Sequence, residues 1–212
     1  MQLRFLGHAA FDLTLGGVRF CLDPHQPGAL GGRFQLPEIV GPFDAIVHTH
    51  RHEDHSGWTP QLGTTTVIDQ PTTVRDVVIA TRAAFHDAQF GARMGLVRMV
   101  SLTAEGMRVV HCGDIGWFDD ADVQWLRGAD VLLVPVGGTY TLHPPQAVRL
   151  AHQVGARVVV PMHGADPHVD LPLRPVSEFA QLWTGPVVHA GALTTQTLAQ
   201  LVSGTALILA AP

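Results

Sequence analysis

Short apolar runs rich in valine, isoleucine and leucine alternate with turn residues along most of the chain. Runs of this length and composition are typical of β-strands. The first three, residues 2–7, 10–15 and 18–22, are separated by tight turns, one of them at Gly16 and Gly17. The same pattern predicts further strands at residues 44–48, 64–69, 74–85, 96–102, 107–112, 130–136, 156–162, 186–190 and 205–211, and the last of these is expected to close the sheet.

Three segments carry the start and stop signals of helices. Residues 118–128 begin with acidic side chains and end at a glycine. Residues 144–155 and 175–185 each begin with proline and end at glycine, which is the usual asymmetry of helix termini. Strands in series, followed by strands that alternate with helices, predict two packed sheets with helices outside them.

Composition narrows the class of protein. A chain of 212 residues with 46% hydrophobic residues is long enough to bury one substantial core, so we expect a single domain over residues 1–212. The 13 Lys and Arg residues are outnumbered by 18 Asp and Glu residues, and the net charge of −5 does not favour nucleic-acid binding. The start of the chain does not resemble a signal peptide, and no apolar run reaches the roughly 18 residues of a membrane helix. We therefore expect a cytoplasmic protein with two buried thiols, Cys21 and Cys112.

One polar segment stands out against these apolar strands. Residues 46–57 read IVHTHRHEDHSG, and they place His50, His52, Asp54 and His55 directly after a predicted strand. In extended backbone, residues two positions apart point to the same face, so His50 and His52 can approach one metal ion together. Adjacent residues would point apart, and a turn before Ser56 is needed to bring Asp54 and His55 towards a second ion.

Further potential ligands follow other predicted strands. His86, Asp114 and His163 each lie just after an apolar run, where the loops of several strands can converge at one edge of a sheet. With the four residues of the 50–55 segment they supply five imidazoles and two carboxylates. This set is sufficient for two ions that each keep an open position.

The order of these residues resembles the metallo-β-lactamase superfamily. The resemblance rests on H-x-H-x-D-H at 50–55, a later His86, HCGDIG at 111–116 and VVVPMHG at 158–164. The sequence is most similar to a small branch of metal-dependent hydrolases that includes the ascorbate-6-phosphate lactonases. LGHA at 6–9, Asp23-Pro24 after a strand and PVGGTYT at 135–141 also match that branch.

The resemblance implies an α/β fold, a four-layer αββα sandwich with the metals at one edge. It assigns His50, His52 and His86 to the first ion, and Asp54, His55 and His163 to the second, with Asp114 bridging them. Residues 56–85 are shorter than in typical members, which would open the site or shift His86. Gly164 and His143 also depart from the pattern, since relatives often have an aromatic residue and a carboxylate there.

Several further residues are candidate neighbours of this centre. His8 is a candidate proton donor or a contact to an anionic substrate, with a structural hydrogen bond as the equal alternative. Asp23 either fixes a ligand imidazole by accepting its N–H, or forms a turn with Pro24. Tyr140 binds substrate or only packs, and His111 is more consistent with a supporting role or the core. The loops also offer His143 and His168 as residues that face the cleft.

The donor set indicates the chemistry. Two divalent ions lower the pKa of a bridging water, and the resulting hydroxide attacks a small ester, lactone or related substrate, with Asp54 orienting it. Imidazole and carboxylate ligands favour zinc first and manganese second. The alternatives are a phosphodiesterase or nuclease of the same fold, and a non-hydrolytic iron-dependent or metal-binding protein. Members of this branch often form oligomers, so the resemblance is also compatible with a homo-oligomer.

Overall fold

The computed structural model describes residues 1–211, in which two mixed β-sheets pack face to face. The six-stranded sheet has the order β13-β1-β2-β3-β4-β5 and the eight-stranded sheet the order β12-β14-β11-β10-β9-β8-β7-β6. The strands of the first sheet are β1 (Gln2–Gly7), β2 (Ala10–Leu15), β3 (Val18–Leu22), β4 (Ala45–Val47), β5 (Val67–Ile68) and β13 (Leu193–Thr194). Those of the second are β6 (Thr72–Val74), β7 (Val77–Phe85), β8 (Leu96–Ala104), β9 (Met107–His111), β10 (Val131–Pro135), β11 (Val158–Met162), β12 (Val187–Ala190) and β14 (Thr205–Leu209).

Helices cover the outer face of the eight-stranded sheet. They are α2 (Asp120–Leu126), α3 (Pro144–Val154) and α4 (Val176–Leu182), and their apolar side chains pack against the outward residues of β9, β10 and β11. A short helical turn, α1 (Ala29–Gly32), lies in the long loop after β3, and α5 (Thr195–Gln200) follows β13. These elements confirm the predicted α/β sandwich. None of the helices within residues 1–211 is long and apolar enough to cross a bilayer.

The main core lies between the two sheets. Alternate residues of β1, β2 and β3, among them Leu3, Phe11 and Phe20, face Val109, Leu133 and other residues of the second sheet, and all are buried. The outer face of the first sheet is covered by a loop and a 3-10 turn at Pro60–Leu62, whereas helices cover the outer face of the second sheet. Cys21 and Cys112 are buried free thiols in separate apolar clusters, as predicted.

The strand and helix predictions differ from the structure in three places. The predicted strand at 74–85 is a hairpin, because Arg75 takes a left-handed conformation (φ 51°) and separates β6 from β7. Residues 193–200 form β13 and α5, which the sequence pattern did not indicate, and β13 pairs with β1. The final strand β14 lies inside the second sheet between β11 and β12, not at its edge.

An ion-pair cluster on β1–β3 gives a pH-dependent stability prediction. Asp12 is buried and accepts hydrogen bonds from Arg4 and from Arg19, whose Nη2 lies 2.8 Å from Asp12 Oδ2. Burial alone would raise the pKa of Asp12, but the two guanidinium groups hold it below its ordinary value. A carboxyl whose pKa is lowered by folding contributes stability above its unfolded pKa, and that contribution is lost as pH falls through the folded pKa.

We therefore expect Asp12→Asn to destabilise the protein by about 1–3 kcal/mol at pH 7, since the asparagine cannot accept both charged hydrogen bonds. The difference between the variant and the unchanged protein should shrink as pH is lowered below 3.8, the ordinary pKa of the carboxyl. Urea unfolding at several pH values measures this. A difference in unfolding free energy that is constant down to pH 2 would contradict it.

Candidate metal centre

The polar residues of the cluster lie where strands end, at one edge of the sandwich. His8 follows β1, His50 follows β4, His86 follows β7, Asp114 follows β9 and His163 follows β11. His52–His55 form a turn in which the amides of His55 and Ser56 both donate to the carbonyl of His52. This turn brings Asp54 and His55 back towards the cluster, as the sequence predicted.

Three imidazoles form the first group of donors. His50 Nε2 lies 3.0 Å from His52 Nδ1, and His86 Nε2 lies 3.2 Å from the same His52 atom. His50 and His86 are buried, whereas His52 is half-buried. The short segment 56–85 therefore leaves His86 within reach of the other two rings.

Hydrogen bonds on the far side of two rings fix which nitrogen carries the proton. Thr49 Oγ1 donates to the Asp23 carboxylate (2.6 Å), so His50 Nδ1 must donate to Thr49 Oγ1 (2.9 Å). His86 Nδ1 must donate to the carbonyl of Tyr140 (3.1 Å), because a carbonyl only accepts. Both rings therefore present an Nε2 lone pair to His52. A proton on His52 Nδ1 can be donated to only one of these two Nε2 atoms. The lone pair of the other Nε2 atom is left for a cation.

A second group of donors surrounds Asp114. Its Oδ2 lies 3.0 Å from His55 Nε2 and 3.0 Å from His163 Nε2, and 3.7 Å from His86 Nε2 and 4.0 Å from His50 Nε2. His55 Nε2 nevertheless has no hydrogen-bond partner, and neither has Asp114 Oδ1, although both are buried. Buried polar atoms left without hydrogen bonds inside a cluster of imidazoles and carboxylates are the arrangement expected of residues that bind cations.

Asp23 supports both groups from behind. Its carboxylate accepts from His55 Nδ1 (2.9 Å), from the Thr49 hydroxyl and from the Thr49 amide (2.7 Å). It thus orients His55 directly and His50 through Thr49. Of the two alternatives for Asp23, the structure shows the contact with an imidazole, that of His55.

The electrostatics of the cluster keep most of its donors in the form that a metal binds. Burial, reinforced by the charge of His55, lowers the pKa of His50 to about 3, so that its imidazole is neutral. Burial alone would raise the pKa of Asp114, but His163 and His55 hold it well below the ordinary value. Burial would lower the pKa of His55, yet Asp114 and Asp54 raise it well above 6.5. Without metal the ring is therefore in its protonated, cationic form.

The cluster forms the floor of a cavity of about 600 Å³. His52, Asp54, His86, Asp114 and His163 face this cavity from the histidine–aspartate cluster. Its walls are mostly apolar with two arginines, and they comprise Leu30, Gly31, Arg33, Arg51, Glu53, Met94, Tyr140 and Leu171. A cavity of this volume accommodates a small organic molecule directly above the cluster.

Three other sequence candidates do not line the cavity, whereas a fourth, Tyr140, does. His111 is buried, and its Nε2 donates to the Ala9 carbonyl (2.9 Å) while its Nδ1 accepts from the Gly113 amide, so its role is structural. His143 is exposed at the start of α3, and His168 is exposed beside a different surface pocket; neither lines the cavity. Tyr140 lines the cavity and also packs on an apolar cluster, which keeps both of its predicted alternatives.

The sequence interpretation missed two supporting features. Thr49 links Asp23 to His50 through its hydroxyl, and no sequence spacing marks it beyond its place next to His50. Asp87, next to His86, accepts from the amides of Gln89, Gly91, Arg93 and Met94 and so folds the loop that brings Met94 to the cavity. Asp87 is followed four residues later by Gly91, and Asp and Gly close together are a recognisable loop signal.

Close backbone contacts explain two glycines near the cluster and give a second prediction. A Cβ on Gly137 would lie 2.1 Å from the His163 carbonyl oxygen, and a Cβ on Gly116 would lie 2.4 Å from that of His86. We expect Gly137→Ala to cost about 1–3 kcal/mol of unfolding free energy and to weaken metal binding by displacing His163. Thermal unfolding and metal titration measure the two effects. Gly191→Ala is the matched control, because its Cβ would meet nothing within 4 Å; equal behaviour of the two variants would contradict the prediction.

A sandwich of two sheets with a histidine–carboxylate cluster at the strand ends defines a metallo-hydrolase type of architecture. The chain matches the model of the beta-lactamase superfamily domain over residues 2–163. It is 32% identical over 190 residues to a UPF0173 metal-dependent hydrolase of Methanoculleus marisnigri, with 77% of this chain and 80% of the relative covered. The chain belongs to the beta-lactamase superfamily, and it is a metal-dependent hydrolase.

Solved structures are similar over nearly the whole chain. A metallo-beta-lactamase superfamily protein of Thermotoga maritima matches with a TM-score of 0.75 and 28% identity, covering 98% of each chain. An isothiocyanate hydrolase from Delia radicum gut bacteria matches with a TM-score of 0.70 and 16% identity, covering 99% of this chain and 96% of that one. At that identity the second match shows the fold alone.

Proposed function

We propose that the protein is a dinuclear metal-dependent hydrolase of a small ester, lactone or related substrate. The observation that carries this proposal is the position of Asp114 Oδ2, which lies 3.0–4.0 Å from imidazole nitrogens of both donor groups. His50, His52 and His86 would hold one ion, and Asp54, His55 and His163 the other, with Asp114 shared between them. The ligand set contains no thiolate, which is consistent with zinc first and manganese second.

When bound, the two divalent ions would lower the pKa of a shared water and polarise the carbonyl oxygen of the substrate. The chain itself supplies the positioning. Asp54 faces the cavity. Burial would raise its pKa, but the charge of His55 and the neighbouring ring of His8 keep it low, so its carboxylate is ionised and would orient an attacking water. Leu30, Met94 and Leu171 exclude bulk water from the apolar part of the substrate.

The cavity favours a small molecule over a polymer. It is a recess whose walls are mostly apolar but include Arg33, Arg51 and Glu53. The chain has a net charge of −5 and only 13 Lys and Arg residues, and its sequence has no basic run of the kind that follows a nucleic-acid backbone. A lactone or small ester has the size and the polarity that suit these walls. We regard phosphodiester cleavage and iron-dependent chemistry as outcomes that the following experiment distinguishes.

Elemental analysis of the purified protein, followed by a hydrolysis screen, tests the proposal. We expect two divalent ions per chain, a colourless protein, and chelator-sensitive hydrolysis of lactones or esters that zinc or manganese restores. The screen should include thioesters, β-lactams and phosphodiesters at equal concentration. Bound iron with visible colour, hydrolysis of phosphodiesters alone, or a single ion with full activity would contradict the proposal.

A further inference from the structure

His8 occupies a position that neither substrate contact nor ordinary packing explains. It is buried, and it is not among the described residues that line the cavity, although its neighbours Asp54 and His163 are. A side chain closed off from the cavity cannot donate a proton to a leaving group there. The two roles near substrate that the sequence suggested for His8 are therefore not supported by its location.

The ring of His8 lacks the hydrogen bonds that a structural histidine requires. Both Nδ1 and Nε2 are buried without a hydrogen-bond partner. By contrast, the equally buried ring of His111 uses both nitrogens in hydrogen bonds to backbone groups. Since a buried polar ring without partners is costly, the difference indicates that His8 meets a group that the protein atoms alone do not supply.

The unpartnered ring lies against the second donor group. His8 Nε2 is 3.3 Å from Asp54 Oδ2, and the centroids of the His8 and His163 rings are 3.9 Å apart. One ligand atom from each of His8, Asp54, His55 and His163 lies within 4.8 Å of the others. This is the same closeness that the His50, His52 and His86 atoms show in the first group.

The backbone around His8 is distorted in a way that fixes this orientation. The pairing of β1 with β2 shifts register between Phe5 and Gly7, and His8 itself adopts a left-handed conformation with φ 55°. The carbonyl of His8 accepts from the amide of His163 (2.7 Å), which is also left-handed with φ 56°. Non-glycine residues held in this region cost free energy, and such strain is characteristic of functional positions.

Resting on the dinuclear centre proposed above, we propose that His8 is an additional imidazole ligand of the second ion, beside Asp54, His55 and His163. With Asp114 shared, the second ion would have five protein donors, whereas the first, held by His50, His52 and His86, would have four. The second ion would therefore be the more firmly held, and the first would have more positions left for a substrate oxygen.

Proton NMR of the cobalt-loaded protein in water counts the ligands directly, because each imidazole bound to Co²⁺ carries a strongly shifted exchangeable ring N–H. The unchanged protein should show six such resonances, three from each group of His residues. Five resonances from a protein that holds two ions would overturn the assignment of His8 and leave the dinuclear centre standing. A protein that takes up no metal would overturn the dinuclear centre as well.

His8→Ala tests the same claim by affinity. Competition with a chelator should show the second Co²⁺ bound at least about 10- to 100-fold more weakly, which is the range known for residues that support metal sites, with the first ion unaffected. His25→Ala is the matched control, since His25 is also buried, its Nε2 donates to the Pro37 carbonyl, and it belongs to neither donor group. If His8→Ala binds both ions as tightly as His25→Ala does and keeps six shifted resonances, His8 is not a ligand.

Discussion

Asp114→Ala is expected to lose at least one metal ion and nearly all turnover. Asp114 Oδ2 is the one carboxylate oxygen within 4.0 Å of imidazoles from both donor groups in residues 1–211. Removing it takes away the shared negative charge that allows two cations to lie side by side. We expect kcat/KM on the best ester or lactone substrate to fall by at least about 10²–10³-fold, the effect of losing one major electrostatic group in an active site.

The measurement is metal content per chain together with steady-state kinetics. Asp69→Ala serves as the control, because Asp69 is a partly exposed carboxylate near Arg51 that lies outside the cavity. It should retain two ions and full activity. Full activity in Asp114→Ala would show that the bridging assignment is wrong.

Asp23→Ala is expected to cost both stability and metal affinity. The variant leaves three donors without their acceptor, namely His55 Nδ1, the Thr49 hydroxyl and the Thr49 amide, all of them buried. Each buried donor left unpaired costs about 1–3 kcal/mol, so we expect a loss of about 3 kcal/mol or more in the free energy of unfolding. Both metal sites should weaken, by about 10- to 100-fold, because His55 and His50 lose their orientation.

Thr49→Val separates the two branches of this network. It removes the hydroxyl that links Asp23 to His50 and leaves the Asp23–His55 contact in place. Denaturant unfolding of the metal-free variants and titration with zinc should therefore show a smaller loss for Thr49→Val, confined to the first ion. If Asp23→Ala and Thr49→Val weaken the binding of both ions equally, the direct contact between Asp23 and His55 does not contribute to metal affinity.

Much of the fold follows from local pattern. The central strands β10 and β11 are continuous buried runs, and Pro and Gly at the two ends of α3 bound it as the sequence predicts. The exceptions are places where the chain reverses within an apolar run. Residues 74–85 carry an unbroken strand pattern, and only the left-handed backbone of Arg75 shows that two antiparallel strands meet there. Residues 193–200 are too short and too polar to give a clear signal, and their structure depends on pairing with β1.

The candidate site was predictable to the extent that its residues follow strands. His50, His52, His86, Asp114 and His163 come together because each lies at a strand end on the same edge, which the order of the sequence indicates. Their roles as ligands stay a prediction. The surroundings were harder to foresee, since His8, Asp23, His143 and His168 all follow strands or lie in loops. Only the three-dimensional structure separates His8 and Asp23, which touch the cluster, from His143 and His168, which do not.

Diffraction from crystals of the zinc-loaded protein, recorded on both sides of the zinc absorption edge, is the most direct test of the dinuclear centre. Two anomalous peaks should appear in each molecule, one among His50, His52 and His86 and one beside Asp54, His55 and His163. The carboxylate of Asp114 should contact both. A single peak, or two peaks that Asp114 does not join, would contradict the account.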